Sequence, residues 1–511
     1  MQVDLNNLPS DTALLQRLVL DMTRVMTHRD EEINRLRQII KQLQRAQYGR
    51  RSERLDPDQL DLALEDLEQD IARTEVARQI PVLPASERRQ DPSPKGLPDH
   101  LPRTEVALDP EHTACSGCGG TLHPAGETVS EMLDWVPAQF RVVRIRRPKY
   151  GCRSCGRIHQ SPSPERPIAK GLATLALMAQ VLVSKYCDHT PLYRQSQIFA
   201  RHGIDLNRST LANWVGGACW WFEPLYDRLH HHLLASSHLF ADDTPIPVLD
   251  PGRGRTKTGR LWVYVRDPRP WAGTDPPAAI YCYAPDRKAE RPASHLTSFK
   301  GVLHVDGYAG FEQLTAKGTI HLAACWAHTR RKFHEVHQAT ESPIAAEVLK
   351  RVAALYAIEK HIRNKPPDER WQERQKHAAP MITAMKPWLE ATLHRVAARS
   401  TLAEAIRYTL TRWDALCRFL DDGCIELDTN PVERAIRPVA LGRKNHMFAG
   451  SDGGGQRWAM LCSLIETAKL NNIEPYAYLK DILTRMTNGY PSNQIDDLLP
   501  WNWKPQYTVN T

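Results

Sequence analysis

The chain has 511 residues, 41% hydrophobic and 25% charged, a balance that excludes wholesale disorder and provides for three to four domains at ~150 residues each. Lys and Arg total 67 against 59 Asp and Glu, a net +8 that permits a polyanion partner without requiring one. No apolar run reaches the ~20 residues of a membrane-spanning helix and no basic, apolar leader opens the chain, so the expectation is a cytoplasmic protein.

Residues 11–47 predict a helix with heptad-like spacing, Leu15, Leu18, Met22 and Val25, then, after a phase slip, Ile33, Leu36, Ile40 and Leu43. Such a pattern suits a coiled-coil, leucine-zipper-like segment over 1–52, or an amphipathic helix packed on its own domain. A second polar helix at 57–77 and a proline-rich stretch at 81–102 make 53–105 a helix followed by a linker.

Residues 106–166 contain two C-x-x-C pairs, Cys115/Cys118 and Cys152/Cys155, each followed by a glycine, Gly119 or Gly156, that eases a tight turn. Two thiolate knuckles are what a tetrahedral zinc takes, with the alternating Phe140, Val142 and Ile145 between them suited to the hairpin of a zinc-ribbon-like module. The alternative is unligated thiols or a redox pair, and eleven cysteines with no export signal argue against disulfides. From Arg141 to Arg157 seven basic residues, Arg144, Arg146, Arg147 and Lys149 among them, meet no acidic one in sequence, which points to phosphate contact.

The region 167–225 predicts three short helices, the last two forming a helix-turn-helix with its turn at Gly203 to Leu206. Leu211, Trp214 and Val215 would face inward, leaving Arg208, Thr210 and Asn213 for a DNA groove, although helical hairpins also occur in proteins that never meet DNA. Five strand-like runs follow, SHLFADD, GRLWVYVRD, AAIYCYA, GVLHVDG and TIHLAAC, with one helical candidate between the third and fourth. Helices return over about 338–425 and again in 451–511.

Asp242 and Asp306 close the first and fourth of these runs, and Glu433 opens a later helix in DTNPVERAIRP. In a ribonuclease-H-like sheet the first and fourth strands adjoin, so the two aspartates would share a cleft edge with Glu433 laid across it. Hard oxygen ligands of this kind suit two Mg²⁺ (or Mn²⁺) ions and in-line phosphoryl displacement. Arg434, Arg437, Arg443 and Lys444 beyond Glu433 would clamp phosphate, or else form a salt-bridged surface helix. The CWAHTRRKFHEVH run gathers Cys325, His328, His334 and His337, but its spacing fits no common zinc frame and Arg330, Arg331 and Lys332 would repel a cation.

HLPRTEVAL, the paired cysteines, KYCDHTPLYRQSQIF, ADDTPI, LWVYVRD, VDGYAGF, CWAHTRRKF, NPVERAIRPVALGRKNHMFAGSDGG and LIETAKLNNIEPYAYL resemble, in order over nearly the whole chain, the large transposase of the insertion-sequence-66 family. The resemblance implies a multidomain α+β protein. Its ribonuclease-H-like α/β catalytic core (235–450, with a helical insertion) would follow a leucine-zipper-like helix, a zinc-binding domain and a helix-turn-helix. Asp242, Asp306 and Glu433 would be the DDE residues of a Mg²⁺-dependent polynucleotidyl transferase. It would cut 3′ ends at the terminal repeats of a mobile element and join them to target DNA. Small departures are Asp243 for the usual Glu, Thr429 for Asn, and His446-Met447 for Trp-Leu. Implied partners are double-stranded DNA, a second copy or more of the chain, and accessory proteins of the same element; the implied place is the bacterial nucleoid. The rival readings are a non-catalytic DNA-binding accessory or repressor protein, and a structure-selective nuclease with the same core.

Overall fold

The computed structural model describes residues 97–505 apart from 98, 100, 110–113, 115–116, 137–138, 169–170, 251–254 and 447. The expected coiled-coil helix, the polar helix with most of its linker, and Cys115 lie outside the described residues. The chain forms two compact units. One comprises the residues up to Val181 with Pro191–Trp220 and Leu249–Arg255; the other comprises Leu182–Thr190, Trp221–Val248 and Thr256 onward.

The first unit contains a sheet in which β1 (Arg103–Ala107) runs parallel to β3 (Gln139–Cys152), β3 runs antiparallel to β2 (Leu122–Val136), and β4 (Ile158–Gln160) pairs β3 beyond. Over 139–142 burial alternates, Phe140 and Val142 buried and Gln139 and Arg141 exposed; further on Ile145 is buried and Arg146 exposed. The expected hairpin between the cysteine pairs is therefore present, its ladder ending at Leu122↔Cys152. Three helices follow in the chain, α1 (Leu175–Tyr186), α2 (Leu192–Arg201) and α3 (Arg208–Leu234). Gly203 (φ +75°) turns the chain after α2, and the Asn207 carbonyl accepts from Thr210 and Leu211 to start α3. Phe199 of α2 meets Phe140 edge-on at 5.1 Å, so an aromatic pair ties this helix to the sheet.

All five expected strands are present, in the second unit but for the end of β5 and the first residue of β6: β5 (His238–Asp250), β6 (Arg255–Arg266), β7 (Ala278–Ala284), β8 (Gly301–Val305) and β9 (Ile320–Ala324). They form one mixed sheet ordered β7-β6-β5-β8-β9, with β5∥β8 and β8∥β9 parallel and β6/β7 antiparallel. Between β7 and β8 lies α4 (Glu290–His295), where the sequence places a helix. After β9 come α5 (Trp326–Thr340), α6 (Pro343–Ile362), α7 (Pro367–Glu373), α8 (Ala379–Leu393), α9 (Thr401–Leu410) and α10 (Trp413–Cys417). They share an apolar core of Trp326, Phe333, Val352, Met385, Leu389, Ile406 and Phe419. Arg370 and Arg374 are also fully buried there. Arg374 bonds both Glu359 oxygens at 2.8 Å and the Phe419 and Asp422 carbonyls, a satisfied arrangement that offsets the cost of burying charge.

The chain then enters α11 (Asn430–His446), α12 (Asp452–Leu470) and α13 (Pro475–Thr487). Ser463, Thr467 and Asn471, spaced four apart along α12 and just past it, face the outer edge of β7. The Tyr281 N–H donates to Ser463 Oγ (2.9 Å) and the Ala279 N–H to Thr467 Oγ1 (3.1 Å), which in turn donates to the Ala279 carbonyl (3.0 Å). The Asn471 amide donates to the Pro277 carbonyl at 2.8 Å, so a helix stands in for the missing neighbour strand. Gly455 makes the close approach possible, since a Cβ there would lie 2.5 Å from the Tyr283 ring. No helix among the described residues is long and apolar enough to cross a membrane.

Candidate active site

Asp242 does not end its strand, as the sequence suggests; β5 continues through it to Asp250. What ends near Asp242 is the pairing with β8, registered His238↔Val302, Leu239↔Leu303 and Phe240↔His304. Continuing that register by two residues brings Asp242 level with Asp306, which follows the last residue of β8. The Tyr308 N–H donates to the Asp306 carboxylate (2.9 Å), and the Tyr408 hydroxyl donates to the Asp306 carbonyl (2.9 Å), so the turn beyond β8 is held from two sides.

Glu433 lies in the first turn of α11, where the acid meets the positive end of the helix dipole. Val432 and Val439 point into the core, leaving Glu433 half-buried, and the Thr429 hydroxyl donates to its Oε1 at 3.3 Å. Thr429 thus bonds Glu433 from the position where the resembled family commonly has Asn.

Burial raises the Asp242 carboxyl to about 7, with the charge of Asp306 next in weight and that of Glu433 also contributing; the Asp243 N–H, donating at 2.7 Å, opposes them. Asp242, Asp306 and Glu433 are each half-buried and the charges of the latter two oppose ionisation of the first, a repulsion that a cation shared among them would relieve, and their all-oxygen donor set fits Mg²⁺ or Mn²⁺. The Asp243 side chain is engaged elsewhere. Its buried carboxylate bonds Arg260 at 2.8 Å and Arg287 at 2.8 Å, and Arg287 stacks on Tyr308 at 4.1 Å from the ring centre.

Cys325 and His328, set aside by sequence reasoning, do approach a carboxylate. The Cys325 thiol, a His328 ring nitrogen and a Glu433 oxygen lie within 4.8 Å of one another, whereas His334 and His337 are not among them. The C-x-x-H spacing was the visible signal; the third member sits on a helix far along the chain.

The basic residues divide. On α11, Arg434, Arg437 and Lys444 are exposed, with Arg434 3.6 Å from Asp267, while Arg443 is half-buried and donates to the Pro245 carbonyl. On β3, the run that meets no acid in sequence meets several in space, because β2 and β1 present theirs across the ladder. Arg144 bonds Glu131 (3.0 Å) and Glu105, Arg146 bonds Glu127 (2.9 Å) and Glu105, and Arg141 pairs with Asp134. Arg147 donates to the Ser161 carbonyl, and Lys149 is half-buried opposite Gln160. In α3, Leu211, Trp214 and Val215 are buried and Arg208, Thr210 and Asn213 half-buried, as the helix-turn-helix pattern expects, but the helix runs on for 27 residues.

Three of the four proposed zinc thiols are described and lie together: Cys118, Cys152 and Cys155 are within 4.8 Å of one another, with Cys118 and Cys152 at 3.4 Å. Both knuckle glycines, Gly119 and Gly156, are left-handed at φ +69°. Backbone bonds from Cys155 and Ser154, together with the Cys118 thiol, depress the Cys152 thiol, which suits a metal-bound thiolate.

Comparison with known proteins gives matches to four family models: "Transposase IS66 family" over residues 170–457, "zinc-finger binding domain of transposase IS66" over 112–156, "IS66 C-terminal element" over 463–501 and "Transposase C of IS166 homeodomain" over 35–106. The uncharacterized protein y4jD of Sinorhizobium fredii is 43% identical over 521 residues, covering 97% of this chain and 97% of the relative. A second from that organism, y4qI, is 40% identical over 489 residues, covering 93% of this chain and 90% of the relative.

Proposed function

The chain belongs to the IS66 family of transposases, and from that premise we propose that it binds the ends of an insertion sequence, cleaves them to free 3′-hydroxyls and joins these to target DNA. The observation that carries the reading is the register match of Asp242 and Asp306 on adjacent parallel strands, with Glu433 close enough to raise the Asp242 carboxyl. We take the sheet order β7-β6-β5-β8-β9, which sets the first and fourth strands side by side, as that of a ribonuclease-H-like core. Residues 106–166 would be the zinc module, 167–225 the helix-turn-helix region, 235–450 the catalytic domain and 451–511 a C-terminal helical region.

Asp242, Asp306 and Glu433 would hold two Mg²⁺ (or Mn²⁺) ions, which when bound would activate an attacking oxygen and stabilise the leaving one. The chain's own residues do the rest. Thr429 fixes one oxygen of Glu433, and Tyr308 with Tyr408 fixes the turn that carries Asp306. Arg434, Arg437 and Lys444 offer positive charge beside the acids and would receive the DNA backbone. Cys115, Cys118, Cys152 and Cys155 would hold a structural zinc, and Arg208, Thr210 and Asn213 would meet a groove. Pairing two ends calls for a homodimer or larger assembly.

Strand transfer on DNA carrying the element's ends tests the assignment. Asp306→Asn is expected to lose cleavage and joining while retaining end binding, and full joining by that variant overturns it. Cleavage without joining by the unaltered chain would favour a structure-selective nuclease.

A further inference from the structure

Cys325 ends the connection from β9 and caps α5, and His328 sits three residues on, so one face of the first helical turn presents both. Glu433 reaches them from the first turn of α11. The three donor atoms, a thiol sulfur, an imidazole nitrogen and a carboxylate oxygen, lie within 4.8 Å of one another. His328 Nδ1 is buried and has no hydrogen-bond partner among the described residues. A buried ring nitrogen with no partner is costly, and a cation held between these donors removes that cost.

The surrounding charge also differs from what the sequence implies. Burial holds the His328 imidazole below its ordinary value, toward the neutral form that can ligate a metal, and Asp306 and Glu433 oppose this more strongly than Arg331 and Lys332 reinforce it. Burial pushes the Cys325 thiol up to about 11, and the N–H groups of His328 and Thr429, which donate to its sulfur, offset this only in part, so a metal bound there would have to displace the thiol proton.

The donor set separates this cluster from the acidic one. Mg²⁺ prefers oxygen alone, whereas one thiolate, one imidazole and one carboxylate are the ligands of Zn²⁺. We propose that Cys325, His328 and Glu433 form a second metal site, specific for Zn²⁺ or an ion of similar softness, which borrows its carboxylate from the acidic triad. Binding forms the sulfur–metal bond and releases the thiol proton to solvent. The site stands on its own geometry. Its consequence rests on the proposed function: a Glu433 engaged by zinc is withdrawn from Mg²⁺, so zinc would silence the enzyme.

The test uses the full chain with its zinc-finger module already loaded, in the absence of DNA, dialysed against Zn²⁺ alone. One further equivalent is expected to bind, and Cys325→Ser and His328→Ala are each expected to weaken it by roughly tenfold or more. Co²⁺ supplied to the unaltered, zinc-loaded chain is expected to give a sulfur-to-metal charge-transfer absorption that His328→Ala diminishes; this readout stands even if Cys325→Ser misfolds. No equivalent beyond the module, or unchanged affinity and absorption in the variants, overturns the site. Neither measurement involves turnover, so failed strand transfer would overturn the proposed function alone.

Discussion

Asp242 is a carboxylate whose surroundings oppose its charge. Its carboxyl, at about 7 against an ordinary 3.8, keeps a proton in the folded, metal-free chain that the unfolded chain has already lost. Between those values the folded state binds more protons, so metal-free stability falls as pH rises through the window and levels off above it. Asp242→Asn removes the penalty. We expect it to stabilise the metal-free protein at pH 8 by about 2–4 kcal/mol and hardly at all at pH 4, measured by thermal unfolding in the presence of a chelator. The residue types at this site were legible in the sequence because carboxylates stand out after apolar runs. Their level was not, because it depends on the register of two strands. The pairing of Cys325 and His328 with Glu433 was hidden for the same reason: local spacing reveals two ligands on one helical turn but never the third from another helix.

The secondary-structure elements were more legible than their neighbours. Each strand of the second sheet follows an apolar run, and α12 follows Ser451, whose hydroxyl caps it by accepting from Gly454. Nothing local announces that Ser463, Thr467 and Asn471 of the same region serve the edge of β7. Polar side chains in the middle of an otherwise buried helix read as a fault until the unpaired backbone they satisfy is known. Thr467→Val keeps the shape of the side chain and deletes both of its bonds to Ala279. Because a buried N–H and a buried carbonyl lose their partner together, urea unfolding should show a loss of about 1–3 kcal/mol, whereas Thr484→Val, at a more open position of α13, should show little.

Across the whole molecule, net charge is a poor guide to where DNA would lie. The basic run of β3 accounts for much of the apparent cationic character, yet the carboxylates of β2 and β1 already occupy Arg144 and Arg146. Exposed ion pairs of this kind contribute little to stability, so they are easily exchanged for phosphate. Glu131→Gln frees Arg144 from its nearer partner. End-DNA binding is then expected to tighten and to depend more steeply on salt, by about one unit of logarithmic slope, at little cost to folding. Unchanged affinity and slope would exclude Arg144 from the DNA contact.

The covering of β7 by α12 also has a temporal side. On a ribosome the five strands emerge well before the helix that closes their outer edge, so while residues 325–451 are made, about a quarter of the chain, the sheet carries an open row of backbone donors and acceptors. Copies of the gene cut short before Asp452 would therefore yield self-associating fragments, not a shorter working protein.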